Sequence, residues 1–192
     1  MKIIGITGGT GAGKSVLSGE LKRRGAKVID ADLISRRITA SGGAAYEEIL
    51  KNFGREILGE NGEIDRKLLG GIVFNNPEKL ELLEKITHKY IFEEMQKELD
   101  SCNEKIAVLD VPLLFQCDFP IKCDITVAVV AEPDVRTARI MNRDNISKEA
   151  ALSRMKNQLT NDEYTKLADV CFENNGDFEK LKEFADRLLT EL

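Results

Sequence analysis

Residues 8–15 read Gly-Gly-Thr-Gly-Ala-Gly-Lys-Ser, and they directly follow the apolar run Ile-Ile-Gly-Ile at residues 3–6. The stretch matches the pattern G-x-x-x-x-G-K-[ST], in which a glycine-rich loop joins a buried strand to a helix and holds nucleotide phosphates. After it, Leu17 and Leu21 lie four residues apart and Gly25 supplies a stop, as in a helix. The stretch therefore predicts a strand, a phosphate-binding loop and a helix.

The composition of this loop suits a triphosphate, because backbone N–H groups approach phosphate oxygens closely only where side chains are absent. We expect Lys14 to reach the outer phosphates and the Ser15 hydroxyl to ligate Mg²⁺. A glycine-rich turn without a ligand is the alternative, and the placement between a strand and a helix argues against it. The predicted ATP-binding residues of the loop are Gly9, Thr10, Gly11, Ala12, Gly13, Lys14, Ser15 and Val16.

Short apolar runs separated by helical patterns continue along the chain. The further strand-like runs are residues 27–30, 106–110, 125–130 and 170–172. This alternation predicts an α/β protein with the P-loop NTPase fold, in which a five-stranded parallel sheet is flanked by helices. Because such sheets bind ligands at the carboxyl ends of their strands, we expect the chemically active residues at that edge.

Two helical excursions from this core are predicted. We interpret residues 36–103 as a helical substrate-binding domain, with a purely structural decoration as the alternative, and residues 136–163 as a lid. The nucleotide-binding core then comprises residues 1–35, 104–135 and 164–192. The predicted helix starts are Asp65, the pair Asn76-Pro77 and Ser147.

Arginines recur at helical spacing after the fourth strand. Arg136, Arg139 and Arg143 are expected on one side of a helix, and Arg154 and Gln158 lie four apart on the next. We expect these arginines to lack matched acids, and a lid that closes over a transferring phosphoryl group needs such charge. The alternative is a solvated charged face.

Carboxylates follow two of the predicted strands. Asp32 comes just after the second strand, and Arg36 lies four residues further, on the same helical face. Asp32 can accept a proton from an attacking hydroxyl group while Arg36 holds an anionic acceptor, whereas an aspartate that only caps the helix is the alternative, which suits Asp30 better. Asp110 ends the third strand and can either orient Mg²⁺ through water or fix the loop by a hydrogen bond.

Composition limits the partners. The formal net charge of −5 gives no general attraction to nucleic acid or anionic membranes, and the chain has no apolar run long enough to cross a bilayer. We therefore expect a cytoplasmic protein with no nucleic-acid or membrane partner, while the oligomeric state stays open. The four cysteines form no C-x-x-C pair, and reduced thiols fit that location.

In combination and order, these motifs resemble the dephospho-CoA kinase family over essentially the whole chain. The elements beyond the loop are Val28-Ile-Asp-Ala-Asp with Arg36, Asp110-Val-Pro-Leu-Leu-Phe, Arg143-Asp144 with Arg154 and Gln158, and Ala168-Asp169 leading to Asn174-Asn-Gly. The resemblance implies ATP-dependent phosphorylation of the ribose 3′-hydroxyl of dephospho-CoA to give CoA and ADP, the last step of coenzyme A biosynthesis. It also implies Mg²⁺ as cofactor and ATP and dephospho-CoA as small-molecule substrates.

The resemblance further implies roles for single residues by motif position. Asp32 resembles the general base, Lys14 and Arg143 are the other catalytic residues, and Arg143 and Asn174 lie on the ATP side. The implied substrate-binding residues are Asp32, Arg36, His88, Asp110 and Leu113.

Two positions depart from the family pattern. His88 is followed by lysine where the family commonly has proline, and Gln116 stands where it commonly has an acid. On its own terms His88 can be a surface residue, a buried hydrogen-bonding residue or a ligand contact. Two other functions stay open: a kinase for another small metabolite or nucleotide, and a nucleotide switch. An arginine-rich lid and the absence of an Asn-Lys-x-Asp sequence argue against the switch.

Overall fold

The computed structural model describes residues 1–191, and the elements below are those of this part of the chain. The strands are β1 (Lys2–Thr7), β2 (Lys27–Asp30), β3 (Ile106–Asp110), β4 (Ile125–Val130) and β5 (Val170–Glu173). The helices are α1 (Lys14–Arg23), α2 (Ala31–Thr39), α3 (Tyr46–Phe53), α4 (Arg66–Val73), α5 (Pro77–Asp100), α6 (Pro133–Asp144), α7 (Lys148–Lys156), α8 (Asn161–Leu167) and α9 (Phe178–Thr190), with a 3₁₀ turn at Arg55–Ile57. The five predicted strands are confirmed.

The strands form one parallel sheet in the order β2-β3-β1-β4-β5, so β1 lies at its centre. Ile4 pairs with Val108 on one side, and Ile6 pairs with Val127 on the other. All four side chains are fully buried, as expected for parallel strands covered on both faces. The predicted α/β fold is thereby confirmed, and the carboxyl ends of the strands meet at one edge.

The chain divides into two compact units. The first consists of Met1–Asp30 together with the described chain from Cys102 onward, and it holds the sheet, α1 and α6 to α9. The second is the continuous segment Ala31–Ser101, with α2 to α5. Within residues 1–191, no helix combines the length and apolar composition that crossing a membrane requires.

The core of the second unit is built from amphipathic helices. α2 packs against α5, and α3 and α4 also contact α5. The side chain of Asp65 accepts hydrogen bonds from Lys67 N and Leu68 N, and that of Asn76 accepts one from Lys79 N. Two predicted helix starts are thus confirmed. The buried apolar side chains on these helices include Ala31, Ile34, Ile38, Tyr46, Ile49, Leu50, Phe53, Leu69, Val73, Ile86, Met95 and Leu99.

In the first unit, Ser147 caps α7 as predicted, its side chain accepting a hydrogen bond from Ala150 N. The expectation that Arg154 and Gln158 share this helix is wrong, because α7 ends at Lys156. Gln158 N bonds Met155 O at 3.1 Å, which closes a tight turn, and Thr160 then starts α8 with a reciprocal capping box.

Candidate active site

The glycine-rich loop joins β1 to α1 in a conformation that needs glycine. Gly13, the residue before α1, has φ of 92°, and a Cβ there would collide with the side-chain amide of Asn174. Gly13 also offers no side-chain acceptor to the first turn of α1. The N-terminal N–H groups of this helix therefore suit an anionic ligand, which the dipole of α1 also favours.

Side chains hold the carbonyl groups of this loop. Arg139 donates through one terminal nitrogen to Gly11 O and Ala12 O, both at 3.3 Å, and to Asn174 O at 2.9 Å. Asn174, which is buried, donates its amide to Ala12 O at 2.9 Å. Because C=O and N–H point in opposite directions across a trans peptide, this holds the N–H of Gly13 on the other side of the chain. Asn174 thus touches the loop itself, and its contact with ATP stays a prediction.

Lys14 and Asp110 form an ion pair at the carboxyl edge of the sheet. Asp110, only 4% exposed, accepts from Lys14 Nζ on one carboxylate oxygen and from Ser18 Oγ, at 2.7 Å, on the other. Both partners come from α1, one turn apart. Asp110 therefore makes the bond that fixes the lysine, while an additional role towards Mg²⁺ stays a prediction. Sequence reasoning missed Ser18, although its spacing of four from Lys14 was visible.

Ser15 and Val16 are exposed in the first turn of α1. A serine hydroxyl is an oxygen donor of the kind that Mg²⁺ prefers, and the buried carboxylate of Asp110 lies next to the neighbouring Lys14. This donor set fits Mg²⁺ held by one protein hydroxyl and by substrate phosphates.

The arginines after β4 do not form one solvated stripe. Arg143 donates to Asp144 through two nitrogens, at 2.8 and 3.0 Å, and Arg154 pairs with the same carboxylate. These hydrogen bonds lower the pKa of Asp144, and the carboxylate raises the pKa of Arg143. The expectation that these arginines lack matched acids is therefore wrong for Arg143 and Arg154: Asp144 adjoins Arg143, and the turn after α6 brings Arg154 to it. Arg143 also reaches Thr10 Oγ1 at 3.4 Å.

Arg136 differs from Arg143 in its surroundings. It is 5% exposed, and its Nε donates to Thr10 O at 2.9 Å. The sequence predicts both residues on one side of a helix, as lid arginines. The structure buries Arg136 against the phosphate loop, and its assignment to the lid stays a prediction. Pro133 starts α6 directly after β4, so Arg136 lies in the first turn beside the phosphate loop. That proline was the sequence signal for its position.

The remaining predicted site residues lie in different surroundings. In the second unit, Asp32 and Arg36 are exposed on α2, and His88 is half-buried on α5 with its ring 5.5 Å from that of Phe92. In the first unit, Leu113 follows β3 and is exposed. The structure therefore brings Lys14, Asp110, Arg143 and Asn174 together around the loop, and it places Asp32, Arg36 and His88 on the helices of the second unit.

A cavity of about 240 Å³ opens among the helices of the second unit. Ser35 and Thr39 of α2 line it, and they lie three and seven residues beyond Asp32, on the same helical face. Leu69 of α4 and Thr87 of α5 contribute apolar and polar surface. The cavity offers a mixed lining next to the face of α2 that carries the predicted base.

The sheet order and the glycine loop between β1 and α1 define a P-loop kinase fold. The solved structure of a shikimate kinase from Acinetobacter baumannii shares that fold, with a TM-score of 0.55 at 16% identity over 100% of this chain and 92% of that one. A family model described as dephospho-CoA kinase matches residues 2–180. The chain belongs to the dephospho-CoA kinase family.

Relatives of this chain support the same assignment. A dephospho-CoA kinase from Fusobacterium nucleatum is 42% identical over 185 residues, covering 96% of this chain and 95% of the relative. The solved structure of TT1252 from Thermus thermophilus has a TM-score of 0.87 at 33% identity, covering 100% of this chain and 97% of that one. The resemblance inferred from the motifs is confirmed. The enzyme is a kinase of the family that phosphorylates dephospho-CoA in the final step of coenzyme A biosynthesis.

Proposed function

We propose that the loop between β1 and α1 binds ATP as the phosphoryl donor and that the ribose 3′-hydroxyl of dephospho-CoA is the acceptor. The observation that carries the donor side is the pairing of Lys14 with the buried Asp110, beside a loop whose carbonyls are held away by Arg139 and Asn174. Backbone N–H groups and one lysine are then directed at the site of a triphosphate.

The donor also needs a metal ion. When bound, Mg²⁺ neutralises charge on the outer phosphates and helps to set their geometry for transfer. We assign the exposed hydroxyl of Ser15 as its protein ligand. Asp110 is the nearby carboxylate that can accept a hydrogen bond from water on the ion, because it already faces Lys14 at the end of β3.

Positive charge on the donor side stabilises the transferring phosphoryl group. Lys14 exchanges Asp110 for the phosphates, or is shared between them, as the nucleotide binds. Arg143 reaches Thr10 of the loop and is held by Asp144, which fixes the direction of its guanidinium group. We assign residues 136–163 as the lid that brings this charge to ATP.

On the acceptor side, Asp32 takes the proton of the 3′-hydroxyl while the oxygen attacks the γ-phosphorus. A bond forms between that oxygen and phosphorus, the bond from phosphorus to the β,γ-bridging oxygen breaks, and ADP leaves with the electron pair. Arg36, one turn along α2, binds an anionic group of dephospho-CoA. We assign residues 36–103 as the CoA-binding domain, and its cavity beside Ser35 and Thr39 supports this role.

The experiment that tests this function detects the product by mass. Purified protein is incubated with ATP, Mg²⁺ and dephospho-CoA, alongside a panel of nucleosides and small hydroxyl metabolites. CoA is expected from the parent protein and absent with Lys14→Ala. Phosphorylation of another panel member instead of dephospho-CoA would reject the acceptor and keep the donor chemistry.

A second measurement isolates the general base. Asp32→Asn should lower kcat by about 10² to 10⁴ and leave ATP binding intact, because the amide cannot accept the proton. Asp100→Asn makes the same chemical change at the exposed end of α5 and should keep full activity. Equal kcat for the parent and Asp32→Asn would remove Asp32 from this role.

A further inference from the structure

One residue of the phosphate loop is held through its backbone on two sides. Thr10 N donates to Gln158 Oε1 at 2.8 Å, and Arg136 Nε donates to Thr10 O at 2.9 Å. Arg136 Nη2 donates to the same Gln158 oxygen at 3.0 Å. Thr10, Gln158 and Arg136 therefore form a closed ring of hydrogen bonds, in which one amide oxygen serves two donors.

The charge in this ring is buried. Arg136 is 5% exposed, and burial lowers its pKa, although a guanidinium group keeps its proton in proteins. Between residues 1 and 191, no carboxylate lies within ion-pair distance of Arg136. Its hydrogen-bond acceptors, Thr10 O and Gln158 Oε1, are neutral. These acceptors do not neutralise the positive charge of Arg136, which therefore acts electrostatically on the phosphate loop.

The ring fixes the peptide between Thr10 and Gly11. Since its carbonyl group accepts from Arg136, its N–H, which belongs to Gly11, points in the opposite direction. Donation from a charged group also polarises the peptide and makes that N–H a stronger donor. Gly9 is needed here for a further reason, because a Cβ on it would collide with the guanidinium group of Arg136.

The same ring joins the loop to the segment assigned as the lid. Gln158 follows α7 by two residues, and Arg154 within α7 pairs with Asp144 at the end of α6. Arg136 itself lies on α6. The position of α7 is therefore coupled to a peptide of the phosphate loop through a single side chain.

We propose that Gln158 and Arg136 are positioning residues for ATP, which hold the Thr10–Gly11 peptide so that its N–H is directed at the phosphates. This inference rests on the proposed binding of ATP by the loop. It gives Arg136 a role behind the loop instead of over the transferred phosphoryl group, and it gives Gln158 the role of fixing both Arg136 and Thr10.

The decisive variant is Gln158→Leu, which removes the shared acceptor. Gln158 borders a cavity of about 410 Å³ together with Leu152, Met155 and Leu159, so an apolar side chain of similar size fits there. The dissociation constant for ATP, measured by calorimetry, should rise about tenfold or more, because the partly buried N–H of Thr10 and the buried Arg136 both lose a hydrogen-bond partner. The KM for dephospho-CoA should stay within about twofold, since the acceptor does not need this peptide.

Two further variants separate positioning from packing. Gln158→Glu keeps an oxygen for both donors and should keep the ATP dissociation constant within about threefold of the parent. Lys166→Ala, at an exposed position of α8 outside the segment assigned as the lid, makes none of these bonds and should match the parent. If Gln158→Leu does not fold, Gln158→Asn, which is one methylene shorter, should show the same selective weakening of ATP binding.

The outcomes distinguish this inference from the proposed function. A parent protein that does not bind ATP would reject the proposed function itself. A parent that binds ATP, with a Gln158→Leu variant of equal ATP affinity, overturns the positioning role. The same holds if Gln158→Leu lowers only the melting temperature, or if it raises the KM values of both substrates equally.

Discussion

Replacement of Asp110 by asparagine isolates the electrostatic part of the Lys14 site. The amide keeps the shape of the carboxylate, and its oxygen can still accept a hydrogen bond from Lys14 or Ser18. The negative charge of Asp110 is lost, which deprives the positive charge of Lys14 of this anionic partner. The pocket is largely buried, because the side chain of Lys14 is 16% exposed and that of Asp110 is 5% exposed. The variant therefore tests what the ion pair contributes before nucleotide arrives.

The expected magnitude follows from this burial. Removing one partner of a buried ion pair costs about 3–5 kcal/mol, and we expect the lower end because the lysine keeps some contact with water. For a chain of this size, a loss of about 3 kcal/mol lowers the melting temperature by roughly 6–12 °C. Asp118→Asn, the same chemical change at an exposed position after β3, should leave the free energy of unfolding unchanged within about 0.5 kcal/mol.

The assay is urea denaturation of the parent, Asp110→Asn and Asp118→Asn, without nucleotide and with saturating ATP in EDTA. The phosphates supply a second anion for Lys14, so ATP should narrow the difference in unfolding free energy between the parent and Asp110→Asn. EDTA keeps a metal ion from adding its own interaction with Asp110. Equal unfolding free energies of the parent and Asp110→Asn without nucleotide would show that the ion pair does not stabilise the free protein. If bound ATP leaves the difference in unfolding free energy unchanged, Lys14 does not exchange Asp110 for the phosphates.

Three smaller predictions concern backbone strain, pH and thiol reactivity. Gly13→Ala and Gly25→Ala both place alanine at φ of 92°, but only the new methyl group at position 13 would collide with a side chain. Gly13→Ala should therefore lose ATP affinity in calorimetry, whereas Gly25→Ala should lose about 1–2 kcal/mol of stability and keep its activity. Hydrogen bonds from Thr126 hold the pKa of Asp169 below its usual value. In urea titrations, the loss of unfolding free energy caused by Asp169→Asn should be full above about pH 4 and should fade as the pH falls through the pKa of Asp169 in the folded protein. A difference in unfolding free energy between the parent and the variant that stays constant down to about pH 2 would contradict this. Burial raises the pKa of Cys123 to about 11, so few of its thiols are deprotonated at about pH 8. Alkylation of Cys123, followed by mass spectrometry of its peptide, should be about a hundredfold slower in the folded than in the unfolded chain, and equal rates would contradict this prediction.

Local patterns were sufficient to predict the sheet and most helix starts. The strands are short apolar runs that end in glycine, proline or charge, and helix caps such as Asp65 and Asn76 act within three residues of their own position. The order of the strands, by contrast, depends on pairing between residues more than a hundred positions apart, such as Ile4 with Val108. A pattern of apolar residues contains no information on that pairing beyond the general rules for parallel sheets.

The candidate site was predicted only in part, because some of its contacts join residues that are far apart in the sequence. The glycine loop and Lys14 are contiguous, so their motif defines them. The second partner of Asp110 and the buried position of Arg136 depend on how α1 and α6 pack at the edge of the sheet. Helical spacing alone assigned Arg136 and Arg143 to one face, although one belongs behind the loop and the other pairs with Asp144. Sequence patterns identify the chemical groups but not which neighbour neutralises each charge.

The central place of β1 has a consequence for biosynthesis. The strand that carries the phosphate loop is made before its neighbours in the sheet, because β3 and β4 begin only at Ile106 and Ile125. The continuous segment Ala31–Ser101 is complete before either neighbour is made, so its helices can form while β1 is still unpaired. A nascent chain of this enzyme therefore holds the apolar strand β1 unpaired until β3 and β4 have been made, and it acquires a complete nucleotide site only after that point.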